Sequence, residues 1–119
     1  MKIAISTEGT ELSSAVDPRF GRARGFIIYD TDTSDYKYVD NKQNLESAQG
    51  AGIQSAVTVI DTGANAVITG NVGPKAFTTL VRGNVEIYLC RDCSAAEAVE
   101  KFRKGELTRC DGANVEGHW

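Results

Sequence analysis

The stretch AVITGNVGPKAFTTLVRGNVEIYLC, residues 66–90, decides the fold. Its opening AVITG is a continuous apolar run closed by glycine, the pattern of a strand buried on both faces. Pro74 then stands where a first helical turn loses nothing from a missing N–H, and Gly83 stands just past the end. Between them Ala76, Phe77 and Leu80 form a stripe for burial. VEIYL, residues 85–89, reads as another strand. Strand, helix and strand in this order predict two parallel strands joined by a right-handed crossover.

Working outward, SAAEAVEKFRKG at 94–105 predicts a further helix, with Ser94 as N-cap, Glu97 completing a capping box and Gly105 ending it. Upstream, Ile53, Val57 and Ile60 recur at four- and three-residue steps. They predict a helix running from Gln49 to a stop at Gly63, with these three residues on its buried face. KIAIS at 2–6 predicts a first strand, and GFIIYD and YKYVD, joined by the polar TDTSD, predict an antiparallel hairpin. VDPRFGRARG is irregular, and the tail from Glu106 onward has no period. The order β-β-β-α-β-α-β-α gives an α/β fold with a mixed sheet, its later strands parallel. AVITG is expected near its centre.

Composition limits what such a fold does. The 119 residues suit one domain, which we place at 1–107 with an irregular tail at 108–119. A formal charge of -3 argues against a general nucleic-acid binder, because phosphate attraction needs surplus Lys and Arg. The apolar start is too short for a signal-peptide core, and no run approaches a membrane span. The expectation is a cytoplasmic protein with no nucleic-acid and no membrane partner. Its oligomeric state is not legible.

Parallel strands bring their C-terminal ends to one edge, where open α/β sheets bind ligands. The segments arriving there are Thr7–Gly9, Gly70–Gly73 and Cys90–Cys93. Cys90-x-x-Cys93 can turn two sulfurs to one ion, and Cys93, just ahead of a helix start, is placed for a thiolate. Cys90, at a strand end, reads equally as a small buried residue. A CxxC is half of a four-ligand set; Cys110 and the sole histidine, His118, are the candidates for the rest. Asn71, Val72 and Gly73 precede a helix whose first N–H groups attract anions, or else simply make a tight turn. Arg19, Arg22 and Arg24 could clamp an anion, or pair with Asp17 and Asp30; Arg22 is the strongest candidate for a specific bond. No catalytic constellation is visible: the one histidine lies next to the last residue, and KIAIS carries no carboxylate for two-metal chemistry.

Taken together, VDPRFGRARGFIIYD, GAGIQSA, ITGNVGPKAFTTL and AVEKFRKGEL resemble the dinitrogenase iron-molybdenum cofactor biosynthesis family, nitrogenase accessory factors that carry the cofactor or its precursors. The resemblance spans Met1 to about Leu107. It implies a ribonuclease-H-like fold with a five-stranded sheet in the order 3-2-1-4-5, strand two antiparallel, flanked by helices. It also implies binding of an anionic iron–sulfur or molybdenum–iron–sulfur cluster without catalytic turnover, and cluster donor or acceptor proteins as partners. The family leaves the role of Cys90 and Cys93 open. A thiol redox protein using that pair, or a structural zinc domain, are the alternatives.

Overall fold

The computed structural model of the chain describes residues 1–41 and 50–113, so Gln49 and His118 fall outside the described residues. The strands are β1 (Lys2–Thr7), β2 (Gly25–Asp30), β3 (Tyr36–Asp40), β4 (Ala66–Thr69), β5 (Glu86–Leu89) and β6 (Thr108–Arg109). The described helices are α1 (Ala51–Asp61), α2 (Pro74–Arg82) and α3 (Ala95–Arg103). A single sheet holds the strands in the order β3-β2-β1-β4-β5-β6. β1 pairs antiparallel with β2 and β2 with β3, whereas β1, β4 and β5 are parallel neighbours. The first five strands thus take the expected order, with β4 inside the sheet.

The sixth strand corrects the expected irregular tail. Thr108 and Arg109 pair antiparallel with Leu89 and Tyr88 and cover the outer edge of β5. Two residues are too few to show a period, and this pairing comes from an exposed edge needing partners for its N–H and C=O groups.

Alternation along the strands sorts the core into two layers. Ala4, Phe26, Ile28, Val67 and Ile87 face α1 and α2, while Ile3, Ile5, Ile27 and Ile68 face α3. The buried face of α1 differs from the expected one. Ala51, Ser55, Ala56 and Val59 point inward, Ile53 and Ile60 are half-buried, and Val57 is 40% exposed. The small residues let the helix approach a 3₁₀ turn at Phe20–Arg22 and the buried Asn41, whose amide donates to Ser55 Oγ at 3.0 Å. Periodicity of branched residues therefore marked a stripe beside the face that close packing selects.

Each helix follows or precedes a parallel strand, so all three begin at the edge where β1, β4 and β5 end. The chain crosses this edge tightly at Gly70, where an added Cβ would lie 2.7 Å from Pro18 Cα. Gly70 is required by the approach of Pro18. Gly73, at φ -82°, has a backbone that any residue could adopt.

Candidate functional site at the strand-end edge

Three of the described loops meet at this edge and are stitched together by their backbones. The loop after β1 folds back along it: Asp17 N–H donates to the Ser6 carbonyl at 2.8 Å and Val16 N–H to the Cys93 carbonyl at 2.9 Å. Ser6 Oγ donates to the Asp17 carbonyl at 2.7 Å and shares a 2.8 Å hydrogen bond with Thr69 Oγ1. Cys90 N–H donates to the Thr69 carbonyl at 2.9 Å, which carries the parallel ladder to the end of β5. Thr7, at the end of β1, is fully buried, and its Oγ1 has no hydrogen-bond partner among the described residues.

The predicted anion loop lies on the α1/α2 side. Val72 is buried in that layer of the core, and Asn71 sits beside Arg19 in an isolated parallel bridge. The Asn71 carbonyl accepts the Phe20 N–H at 3.3 Å. Phe20 itself is buried against Phe26, with ring centroids 5.4 Å apart, which anchors the arginine-bearing loop to the sheet. Arg19 is committed to the buried Asp17: its N–H donates to Asp17 Oδ1 at 2.9 Å and its Nε lies 3.6 Å from the same oxygen. Asp30, the other expected partner, lies at the far edge, with the chain's amino terminus 4.0 Å away. Arg22 closes the 3₁₀ turn beside α1.

The starts of α1 and α2 share a composition. Their N-cap residues are Gly50 and Gly73, neither helix has a side-chain cap or an acidic residue in its first turn, and Lys75 stands exposed in the first turn of α2. Partial positive charge from unpaired N–H groups is therefore offset by no carboxylate in either first turn.

The cysteines lie on the other side. Cys90 and Cys93 are joined by a disulfide, and both are buried in the α3 layer with Ile3, Ile5 and Ile68. Cys93 stands just ahead of a helix start, as expected, but it is only 6% exposed, with the returning β1 loop bonded to it through Val16. Cys110 is buried in the opposite layer, and its N–H donates to the Ile87 carbonyl at 2.8 Å, three residues back along β5 from Cys90. Its Sγ donates to the Gly112 carbonyl at 2.7 Å. The edge thus brings Cys90 and Cys93 together and keeps Cys110 apart. Among the described residues no three His, Cys, Asp or Glu side chains gather as a metal site.

Sequence reasoning passed over Arg91. It stands between the two cysteines, and its Nε donates to the Gly70 carbonyl at 3.3 Å while its Nη2 donates to Asn71 Oδ1. The signal was available: a long cation two residues beyond the end of a parallel strand reaches the end of the neighbouring strand. Next to it, a cleft of about 460 Å³ is walled by Glu8, Pro18, Arg91, Asp92, Cys93 and Glu97, among others. Glu97 forms the predicted capping box, accepting from the Ser94 N–H at 2.9 Å while its own N–H donates to Ser94 Oγ at 3.1 Å. That backbone donor, helped by the Ser94 side chain, holds the Glu97 carboxyl below the usual range.

Similarity to known proteins agrees with this architecture. The apo form of the orange protein from Desulfovibrio gigas is 37% identical, with 96% of each chain covered and a TM-score of 0.94. A Thermotoga protein of the DUF35 family is 34% identical, with 98% of each chain covered and a TM-score of 0.85. An uncharacterized protein from Methanocaldococcus jannaschii is 31% identical over 114 residues, 92% of this chain and 91% of its relative. Residues 1–105 match the family described as dinitrogenase iron-molybdenum cofactor, and the chain belongs to that family.

Proposed function

We propose that this chain carries an anionic metal–sulfur species, an iron–sulfur or molybdenum-containing cluster or its precursor, for metallocofactor assembly. The species is cargo, passed between donor and acceptor proteins, and the carrier performs no turnover on it. Family membership supports the ligand class, as does similarity to a protein solved in an apo form. The observation that carries the reading is the pair of helix starts at one edge, α1 and α2, with glycine N-caps, no acidic residue in either first turn and the Phe20–Arg22 turn packed on α1. In this reading the backbone N–H groups of Gly73 and of the first turn of α2 meet the anion at the end of the Asn71–Val72 loop, and Arg22 and Lys75 add charge.

Cys90 and Cys93 enter as thiolate ligands only when reduced, since a disulfide has no thiolate to give. Structural zinc is the weaker reading, because the described residues offer two neighbouring thiols and no third ligand beside them. Titration of the metal-free protein with tetrathiomolybdate, followed by amide NMR, tests the site. Shifts are expected at 70–76 and around Arg22; shifts confined to residues outside the edge would overturn it. Anaerobic reconstitution with iron, sulfide and molybdate then compares wild type with the Cys90→Ser/Cys93→Ser variant. Equal metal content assigns the hold to the anion contacts alone, and lost metal assigns it to the thiolates as well.

A further inference from the structure

We infer that Cys90–Cys93 is a thiol–disulfide exchange site, entered at Cys93 by an external dithiol and coupled through Arg91 to the loop at Gly70 and Asn71. The first half stands on the placement of the two sulfurs. Cys93 contributes to the wall of the open cleft, one residue ahead of the N-cap of α3, whereas Cys90 closes β5 with its N–H held by Thr69. Both cysteines are buried to a similar degree, but Cys93 lines the cleft and Cys90 does not, so the attack is assigned to the Cys93 sulfur. An incoming thiolate bonds to Cys93 Sγ, the Cys90–Cys93 bond breaks, and Cys90 leaves as a thiolate that takes a proton from water. The second thiol of the dithiol then attacks its own sulfur in the mixed disulfide, and Cys93 departs as the second thiolate. The sum is two electrons and two protons moved from the dithiol to the protein, with the dithiol converted to its disulfide.

The walls of the cleft select among reductants. Among the described residues of the lining, Glu8, Asp92 and Glu97 outnumber the cation Arg91, so an anionic monothiol such as glutathione is repelled more than a neutral dithiol or a protein dithiol. The second half rests on the carrier reading of the 70–73 loop. Arg91 rides on the short segment that the disulfide closes, and its guanidinium is bound to the Gly70 carbonyl and the Asn71 side chain. Opening the disulfide removes the constraint on that segment, and Asn71 reports it.

The exchange is tested without cargo. Oxidised protein is treated with dithiothreitol or with glutathione at equal thiol concentration, quenched by alkylation and read by mass spectrometry. Dithiothreitol is expected to yield two alkylated thiols, with glutathione slower by about tenfold and its trapped adduct on Cys93. An adduct on Cys90, or a pair that dithiothreitol cannot open in the folded protein, would overturn the site. The coupling is read from the side-chain amide signals of Asn71, because the Gly70 N–H shares a peptide bond with the Thr69 carbonyl that Cys90 holds and follows the disulfide without Arg91. The Asn71 signals should differ between oxidised and reduced wild type and coincide in Arg91→Ala; signals that ignore the redox state in wild type remove the coupling. Failure of tetrathiomolybdate binding in both redox states defeats the carrier reading and leaves the exchange result untouched, so the two ideas fail separately.

Discussion

The starts of α2 and α3 lie at the same sheet edge, one crossover apart, and are finished in opposite ways. At α3 every early donor is used: Ser94 N–H by Glu97, Ala95 N–H by the Ser14 carbonyl, Ala96 N–H by the Leu12 carbonyl and Glu97 N–H by Ser94 Oγ. At α2 the N-cap is Gly73, no side chain caps the turn, Pro74 has no N–H, and the charged residue in the turn is the cation Lys75. Both ends satisfy folding, but only one keeps an electropositive face. The difference teaches that a helix start at a sheet edge does not by itself keep its first N–H groups open; what the neighbouring chain has already occupied decides it.

The comparison breaks most severely at Gly73. Its extended φ and ψ suit an N-cap side chain, so Gly73→Asp should raise stability by a few tenths of a kcal/mol in urea unfolding. The same carboxylate should weaken tetrathiomolybdate binding by about tenfold, since a like charge then sits within several ångströms of the anion. Unchanged binding in Gly73→Asp would show that the cargo lies elsewhere.

Ser94→Ala works on the closed end and should have the opposite profile. Losing the capping box should cost about 1 kcal/mol of unfolding free energy while tetrathiomolybdate affinity stays at the wild-type value. A loss of affinity there would mean that the α3 start contributes to the site after all.

The smallest effect is a pH dependence at Glu97. Because its folded carboxyl titrates below the ordinary value of 4.5, its contribution is fully present above that value and is lost as pH falls through the lower folded one. Thermal unfolding of wild type and Glu97→Gln should therefore differ at neutral pH and converge in acid. A gap that is constant with pH would assign the difference to shape instead of charge.

Local chemistry was legible wherever it was written in adjacent residues. Pro74 and Gly83 bracket α2, Ser94 and Glu97 form their box, and the hairpin of β2 and β3 follows from TDTSD between two β-rich runs. Val57 misled because α1 buries the face that allows closest approach to the 3₁₀ turn and Asn41, and that face is lined by Ala51, Ser55 and Ala56. The strand Thr108–Arg109 was invisible because its cause is the open edge of β5, more than fifteen residues upstream.

The candidate site divides in the same way. The sequence by itself determined that Asn71–Gly73 and Cys90–Cys93 arrive at one edge, because parallel strands joined by crossovers must deliver their C-terminal loops together. Only the tertiary structure decided on which side of the sheet each lies. Strand alternation and the returning loop at Val16 bury the cysteine pair against α3, and Cys110 falls in the opposite layer. Likewise, nothing local to Arg91 says that it will hold Gly70 and Asn71, since that contact joins two loops 20 residues apart and exists only once β4 and β5 are in register.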